Sequence, residues 1–245
     1  MSLPGLALDH AFELRGGWTA RARFTTVADG DLAVVRPGPD LDARRRRLSD
    51  RPWSWLRQVH GAGVVTVRHP GEHAGVEADA AVTAAPDTLL AVGTADCAPI
   101  ALVAEGPAGP AVGAVHAGWR GLDAGVVGAA VDRLRALVDP GGGSTPGGFA
   151  TVRAVLGPCI HASCYEFGAA DLDAVVTRVG EEARGITSEG RPALDLPAAA
   201  RANLARAGVE LVADDAPCTA CDTRFHSHRA RGDAGRQALL VWLDG

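Results

Sequence analysis

Three residues of types that bind soft metals stand at the ends of strand-like segments. His60 closes Leu56-Arg-Gln-Val-His60, Cys97 lies three residues beyond Leu89-Leu-Ala-Val-Gly-Thr94, and His116 ends Ala111-Val-Gly-Ala-Val-His116. Each precedes a bend, and such positions converge when their strands share one rim of a sheet. A thiolate with two imidazoles suits zinc, and three protein ligands leave a fourth position for water or substrate. Zinc lowers the pKa of such a water to about 7 and can polarise a substrate oxygen. The spacing is long-range, so a buried cysteine and two hydrogen-bonded histidines is the competing reading of the same residues.

Other metal chemistries fit less well. A His₂Cys set also suits a blue-copper centre with a weak axial Met, Gln or backbone oxygen, but the only methionine is Met1. The zinc nucleoside deaminase signature pairs H-x-E with P-C-x-x-C. Pro217-Cys-Thr-Ala-Cys221 matches the second half, and no H-x-E precedes it. Cys218 and Cys221 are thus a redox pair, structural metal ligands or inert thiols. Arg120, in the Gly-Trp-Arg-Gly turn at a helix start, makes a candidate anion site for phosphate or carboxylate; an exposed arginine beside a packed tryptophan is the alternative. Asp96 is a candidate to orient a ligand histidine or to act as general base. Phe225-His-Ser-His-Arg229, read as a strand, places His226 and His228 on one side.

The elements that must position these groups follow from the hydrophobic pattern. Alternation over residues 12–36, broken at Asp29-Gly30, predicts strands and a turn. Leu41 to Leu56 predicts a surface helix, and its Arg44 to Arg47 run reads as a solvated face rather than a nucleic-acid contact. Strands are expected at Val64–Val67, Glu77–Thr83, Leu89–Thr94, Pro99–Val103, Ala111–His116, Val152–Leu156, Val209–Val212 and Ala238–Trp242. Helical spacing covers Leu122 to Val138, Leu172 to Ala183, and Leu196 to Ala207, the last stopped by Gly208. Residues 140–148 are Gly/Pro-rich and predict a loop. Strands and helices alternate without a strict βαβ rhythm, so one α/β or α+β domain over residues 1–245 is expected.

Composition bounds the partners. The chain has 245 residues, 47% of them hydrophobic, and a net charge of −5. That is ordinary for a globular protein and carries no basic footprint for nucleic acid. All 24 basic residues are arginine, a compositional bias of the kind a GC-rich genome produces. No apolar run reaches about 18 residues, so no spanning helix and no membrane association are expected. The first ten residues lack the pattern of a signal peptide. Five irregularly spaced cysteines argue for a reducing compartment, and a cytoplasmic location and a monomer are the expectation.

Gln58-Val-His-Gly61, Ala78-Asp-Ala-Ala-Val-Thr83, Thr94-Ala-Asp-Cys97, His116-Ala-Gly-Trp-Arg-Gly121, Leu156-Gly-Pro-Cys-Ile160, Tyr165-Glu166, Cys218-Thr219 and Phe225-His-Ser-His-Arg229 occur in the order seen in one family. The chain resembles the multicopper polyphenol oxidase (laccase-domain) family, whose members are also described as purine nucleoside phosphorylases or peptidoglycan editing factors. The resemblance runs from about Phe24 to Trp242. It implies mixed β-sheets flanked by helices, similar to the laccase-domain or cysteine-hydrolase-like fold. It also implies a metal site at His60, Cys97 and His116, with zinc expected and copper as the alternative. The implied activity is phosphorolysis of adenosine, inosine and methylthioadenosine, with adenosine deamination beside it. Arg120 with Arg229 then become candidates for phosphate, Gln58 and His228 for substrate, and Asp96 and Glu166 for proton transfer. An amide hydrolase acting on muropeptide precursors and a copper polyphenol oxidase are the alternatives. Several coppers need clustered histidines, whereas the chain has eight, with one H-x-H pair. Where the family reads Thr-Thr-Arg, this chain has Thr25-Thr-Val27.

Overall fold

The computed structural model describes residues 8–34, 38–141, 150–214 and 216–245. The predicted 140–148 loop lies, from residue 142 on, outside the described residues, as does Val35 of an expected strand. In chain order the strands are β1 (Asp9–Glu13), β2 (Thr19–Phe24), β3 (Trp53–Arg57), β4 (Val64–Thr66), β5 (Val76–Glu77), β6 (Ala80–Thr83), β7 (Leu89–Thr94), β8 (Ala98–Gly106), β9 (Gly109–Ala117), β10 (Thr151–Leu156), β11 (Arg184–Ile186), β12 (Pro192–Leu194), β13 (Glu210–Ala213) and β14 (Gln237–Asp244). The helices are α1 (Pro39–Leu48), α2 (Trp119–Ala124), α3 (Val126–Val138), α4 (Ala169–Val179), α5 (Leu196–Arg206) and α6 (His228–Arg231).

Two six-stranded mixed sheets form the body. One runs β1-β2-β14-β7-β3-β5 and the other β13-β10-β8-β9-β6-β4. Period-two side-chain alternation decides what each face meets. On β14, Leu239, Val241 and Leu243 pack into the core between the sheets, while Ala238 and Leu240 pack with Leu41 of α1. On β8, Ala101 and Val103 face the inter-sheet core, and Ile100, Leu102 and Ala104 meet the cluster that contains the apolar faces of α3, α4 and α5. The layers are therefore α1, sheet, sheet, helices. Strands covered on both faces read as continuous apolar runs, which is why β7, β8 and β9 were legible.

Four expectations are corrected. The helix predicted from Leu41 to Leu56 ends at Leu48, because Pro52 offers no N–H and Trp53 and Trp55 favour the pleated surface of β3. The helix from Leu122 to Val138 is two helices, broken at Gly125 with φ 86°. The helix reaching Ala183 stops at Val179, capped by Gly180. The single strand Glu77–Thr83 is β5 in one sheet and β6 in the other, and the residue at the crossing is Asp79.

Candidate metal centre and substrate pocket

The three donors are set by the passage of the chain between the sheets. β7 belongs to the first sheet and β8 to the second, so Ala95-Asp-Cys97 is the crossing, with Asp96 at φ 91°. His116 lies on β9, opposite Pro99 of β8. His60 follows β3 and has φ 60°, a left-handed conformation rare for a residue with a side chain. Its strain is held by Asp79, whose carboxylate accepts the N–H groups of Val59 (3.3 Å), His60 (2.9 Å) and Gly61 (2.7 Å). Successive N–H groups around a left-handed residue form a small anion cradle, here filled by a side chain of the same protein.

Asp79 also binds His116: its Oδ1 lies 2.8 Å from Nδ1. That leaves Nε2 of His116 toward Cys97. The ligand atoms of His60, Cys97 and His116 all lie within 4.8 Å of one another. Nε2 of His60 is 3.8 Å from Sγ of Cys97, and the two imidazole rings stand edge to face at 4.8 Å. Burial pushes the Cys97 thiol up, but His116 and His60 more than reverse this and bring it down to about 6. Burial pulls His116 down, and the Cys97 thiolate with Asp79 raises it to about 9. Burial alone would raise the Asp79 carboxyl; His116 and the N–H groups of Gly61 and His60 hold it below its ordinary range. A thiolate, two imidazoles and a carboxylate behind one of them is the donor set of an open zinc-type site. Gly118 keeps it compact: a Cβ there would stand 2.9 Å from Cδ2 of His60 and 3.0 Å from Sγ of Cys97.

The donors line a cavity of about 500 Å³. Gln58, Trp119, Arg120, Tyr165, His228, Arg229 and Arg236 contribute to its wall. The guanidinium of Arg120 lies 4.2 Å from the Trp119 ring centre, and that of Arg229 4.9 Å from Tyr165. Among the described residues neither guanidinium pairs with a carboxylate; Nη1 of Arg229 donates to the carbonyl of Glu166 at 3.3 Å, and the remaining N–H groups are available to an anion. Burial and the Cys97 thiolate push the Tyr165 phenol up to about 12; it is a neutral hydroxyl at physiological pH.

The structure brings the predicted site residues together unevenly. His60, Cys97, His116, Gln58, Asp96, Arg120, His228 and Arg229 all line the cavity. Asp96 does not orient a histidine, because both carboxylate oxygens are engaged elsewhere. One oxygen accepts the Thr219 hydroxyl (2.7 Å) and the other the N–H of Arg229 (2.6 Å). Gln58 pairs through both amide atoms with the backbone of Gly93 (2.7 and 2.8 Å). Glu166 is not a cavity residue: its carboxylate pairs with Arg191 at 2.8 Å on the surface. His226 and His228 do not share a strand face. Ser227 caps the one-turn helix α6, which begins at His228, while His226 packs against Gly235 and lies outside the cavity wall. Val27 opens a short 3₁₀ turn capped by Thr26 and is not among the cavity residues. Asp79, Trp119, Tyr165 and Arg236 escaped the sequence reading as site residues. Cys218 and Cys221 are joined by Cys164 in a separate group of thiols.

A His-Cys-His donor set at the rim of two mixed sheets, beneath a pocket walled by arginines and aromatics, is a site that could hold a metal. Residues 25–244 match the multi-copper polyphenol oxidoreductase laccase family, and the chain belongs to that family. A Mycobacterium tuberculosis protein named purine nucleoside phosphorylase is 38% identical over 239 residues, 94% of this chain and 90% of that one. A Streptomyces coelicolor protein of the same name is 40% identical over 215 residues, 87% and 84% of the two chains. The crystal structure of a Neisseria meningitidis protein superposes with a TM-score of 0.75 at 31% identity, covering 97% of this chain and all of that one. One from Geobacillus stearothermophilus gives 0.71 at 28% identity, covering 93% and 92%. Among the described residues, the groups of three or more side chains that could hold a metal are His60-Cys97-His116 and the three thiols, and neither is a cluster of many histidines. No helix among them is long and apolar enough to cross a membrane.

Proposed function

We propose that the chain cleaves purine nucleosides with phosphate, yielding the free base and ribose 1-phosphate, and that the same site deaminates adenosine. The observation that carries this reading is the placement of two carboxylate-free arginines, Arg120 and Arg229, in the wall of the cavity that holds His60, Cys97 and His116. The relatives' shared name, purine nucleoside phosphorylase, supports the phosphorolysis. His60, Cys97 and His116 would hold the metal, zinc by its fit to the donor set, and the metal supplies Lewis acidity. Phosphate is held by Arg120 and Arg229, each set over an aromatic ring. The purine has Trp119 and the neutral Tyr165 beside it for stacking and one hydrogen bond. A phosphate oxygen bonds to C1′ of the ribose as the bond from C1′ to the base breaks, and the base leaves with the bonding pair and takes up a proton. Asp96 positions Arg229 and Thr219, and Gln58 ties the approach to His60 onto β7. The protein acts in this reading as a cytoplasmic monomer, with no nucleic-acid or membrane partner.

Purified protein given adenosine should release adenine only when phosphate is supplied. Release without phosphate overturns phosphorolysis in favour of hydrolysis, and inosine as a product reports deamination. If neither product forms and a UDP-muramyl dipeptide precursor is cleaved, the site is an amide hydrolase instead.

A further inference from the structure

We propose that Cys164, Cys218 and Cys221 form a second metal site, for a thiophilic d¹⁰ cation of the zinc class, separate from His60, Cys97 and His116. The three sulfurs lie within 4.8 Å of one another, and those of Cys164 and Cys221 are 3.3 Å apart. Zinc–sulfur bonds of about 2.3 Å at tetrahedral angles place sulfurs about 3.8 Å apart, so this pair needs to open by roughly half an ångström. A disulfide at about 2.05 Å would need them to close by more than twice that, and would leave the third sulfur without a role.

The backbone around the thiols is built for ligation. Cys218-Thr-Ala-Cys221 closes a tight turn through the N–H groups of Cys221 and Asp222, both donating to the carbonyl of Cys218 (3.1 and 2.9 Å). Cys164 ends a one-turn 3₁₀ segment from Ala162. The N–H of His161 donates to Sγ of Cys218 at 3.4 Å, the kind of contact that stabilises a ligating thiolate. Of the neighbouring side chains, His161 Nε2 faces the carbonyl of Ala216 and Asp222 pairs with Arg224, while the Ser163 hydroxyl lies 3.7 Å from Sγ of Cys164. The protein therefore offers three sulfurs, with Cys221 exposed and solvent able to take the fourth place. Binding forms three metal–sulfur bonds and releases the thiol protons, with no change of oxidation state. The metal would clasp two turns that reach the pocket, one through Tyr165 in its wall beside Cys164, the other through Thr219 beside Cys218, whose hydroxyl donates to Asp96 of the wall.

The test is a cobalt(II) titration of the full chain, stripped of metal and reduced, read by sulfur-to-cobalt charge-transfer absorption and confirmed by zinc displacement. The wild type should take up two equivalents. Cys97→Ser should lose one and keep the band of a thiolate-rich site. Cys164→Ser and Cys221→Ser should each lose the other, and Cys97→Ser/Cys221→Ser should bind none. Both substituted sulfurs lie at the surface side of the cluster, and Cys221→Ser decides alone if Cys164→Ser fails to fold. A single equivalent abolished by Cys97→Ser overturns the proposal. So does a second equivalent that survives in Cys221→Ser, or a Cys164–Cys221 disulfide in protein isolated without reductant.

Discussion

Asp79 organises the candidate metal centre although its type does not single it out. One carboxylate receives three backbone N–H groups of the His60 loop and the imidazole of His116. Asp79→Asn keeps the shape, yet one of its two atoms becomes a donor facing donors. Metal affinity, measured by chelator competition, should fall by about 10- to 100-fold, and an unchanged affinity would remove Asp79 from the site. Gly118→Ala separates fold from site in a different way. Its φ of −74° and ψ of 165° suit any residue, but the new Cβ collides with His60 and Cys97. Metal affinity should drop while the melting temperature of the metal-free protein moves little; the reverse pattern would mean that the donors can give way. The convergence of His60, Cys97 and His116 was legible because their side chains are chemically explicit. Asp79 was not, because it sits where two short strands run together as one polar-to-apolar pattern. Adjacency to Cys97 suggests an orienting group or a general base in Asp96, but adjacency in sequence says nothing of direction: the carboxylate faces the Thr219 hydroxyl and the N–H of Arg229.

At the level of elements, the long two-sided strands were legible from apolarity alone, whereas short turns and one-turn helices were not. α6 is the instructive case. Phe225-His-Ser-His-Arg229 has the alternation of a strand, and the local hydrogen bond that decides otherwise is the Ser227 side chain accepting the N–H of Ala230 (3.2 Å). That cap, with Asp96 accepting the N–H of Arg229, aims Arg229 at the cavity. Ser227→Ala should cost about 1 kcal/mol of stability, read by urea unfolding. It should also raise the KM for phosphate several-fold while changing kcat less, because positioning and not chemistry is impaired. An unaltered KM for phosphate would show that Arg229 is held by Asp96 and Tyr165 without the cap.

Across the whole molecule, the donors come from both sheets: His60 follows a strand of the first, His116 lies on a strand of the second, and Cys97 is on the crossing between them. Neither sheet alone presents a complete set, and long-range spacing of that kind has no local signature, which is why the cluster could be suspected from residue types but not read from a motif. A metal bound there ties the two sheets at one rim. Any ligand that binds only the folded state stabilises it by RT ln(1 + [L]/Kd), about 2.7 kcal/mol at 100 times Kd. For a chain of this size, each kcal/mol moves the melting temperature by about 2–4 °C. For the His-Cys-His site alone, zinc at about 100 times Kd should therefore raise it by roughly 5–10 °C over chelator-treated protein in differential scanning calorimetry. Carried out in Cys221→Ser, the measurement isolates the His-Cys-His site from the three thiols. In that background, further substitution of Cys97 by Ser should abolish the shift, since the remaining two imidazoles sit on different sheets without the thiolate that joins them. A shift that persists without Cys97 would mean that the metal stabilises the fold from somewhere other than the junction of the sheets.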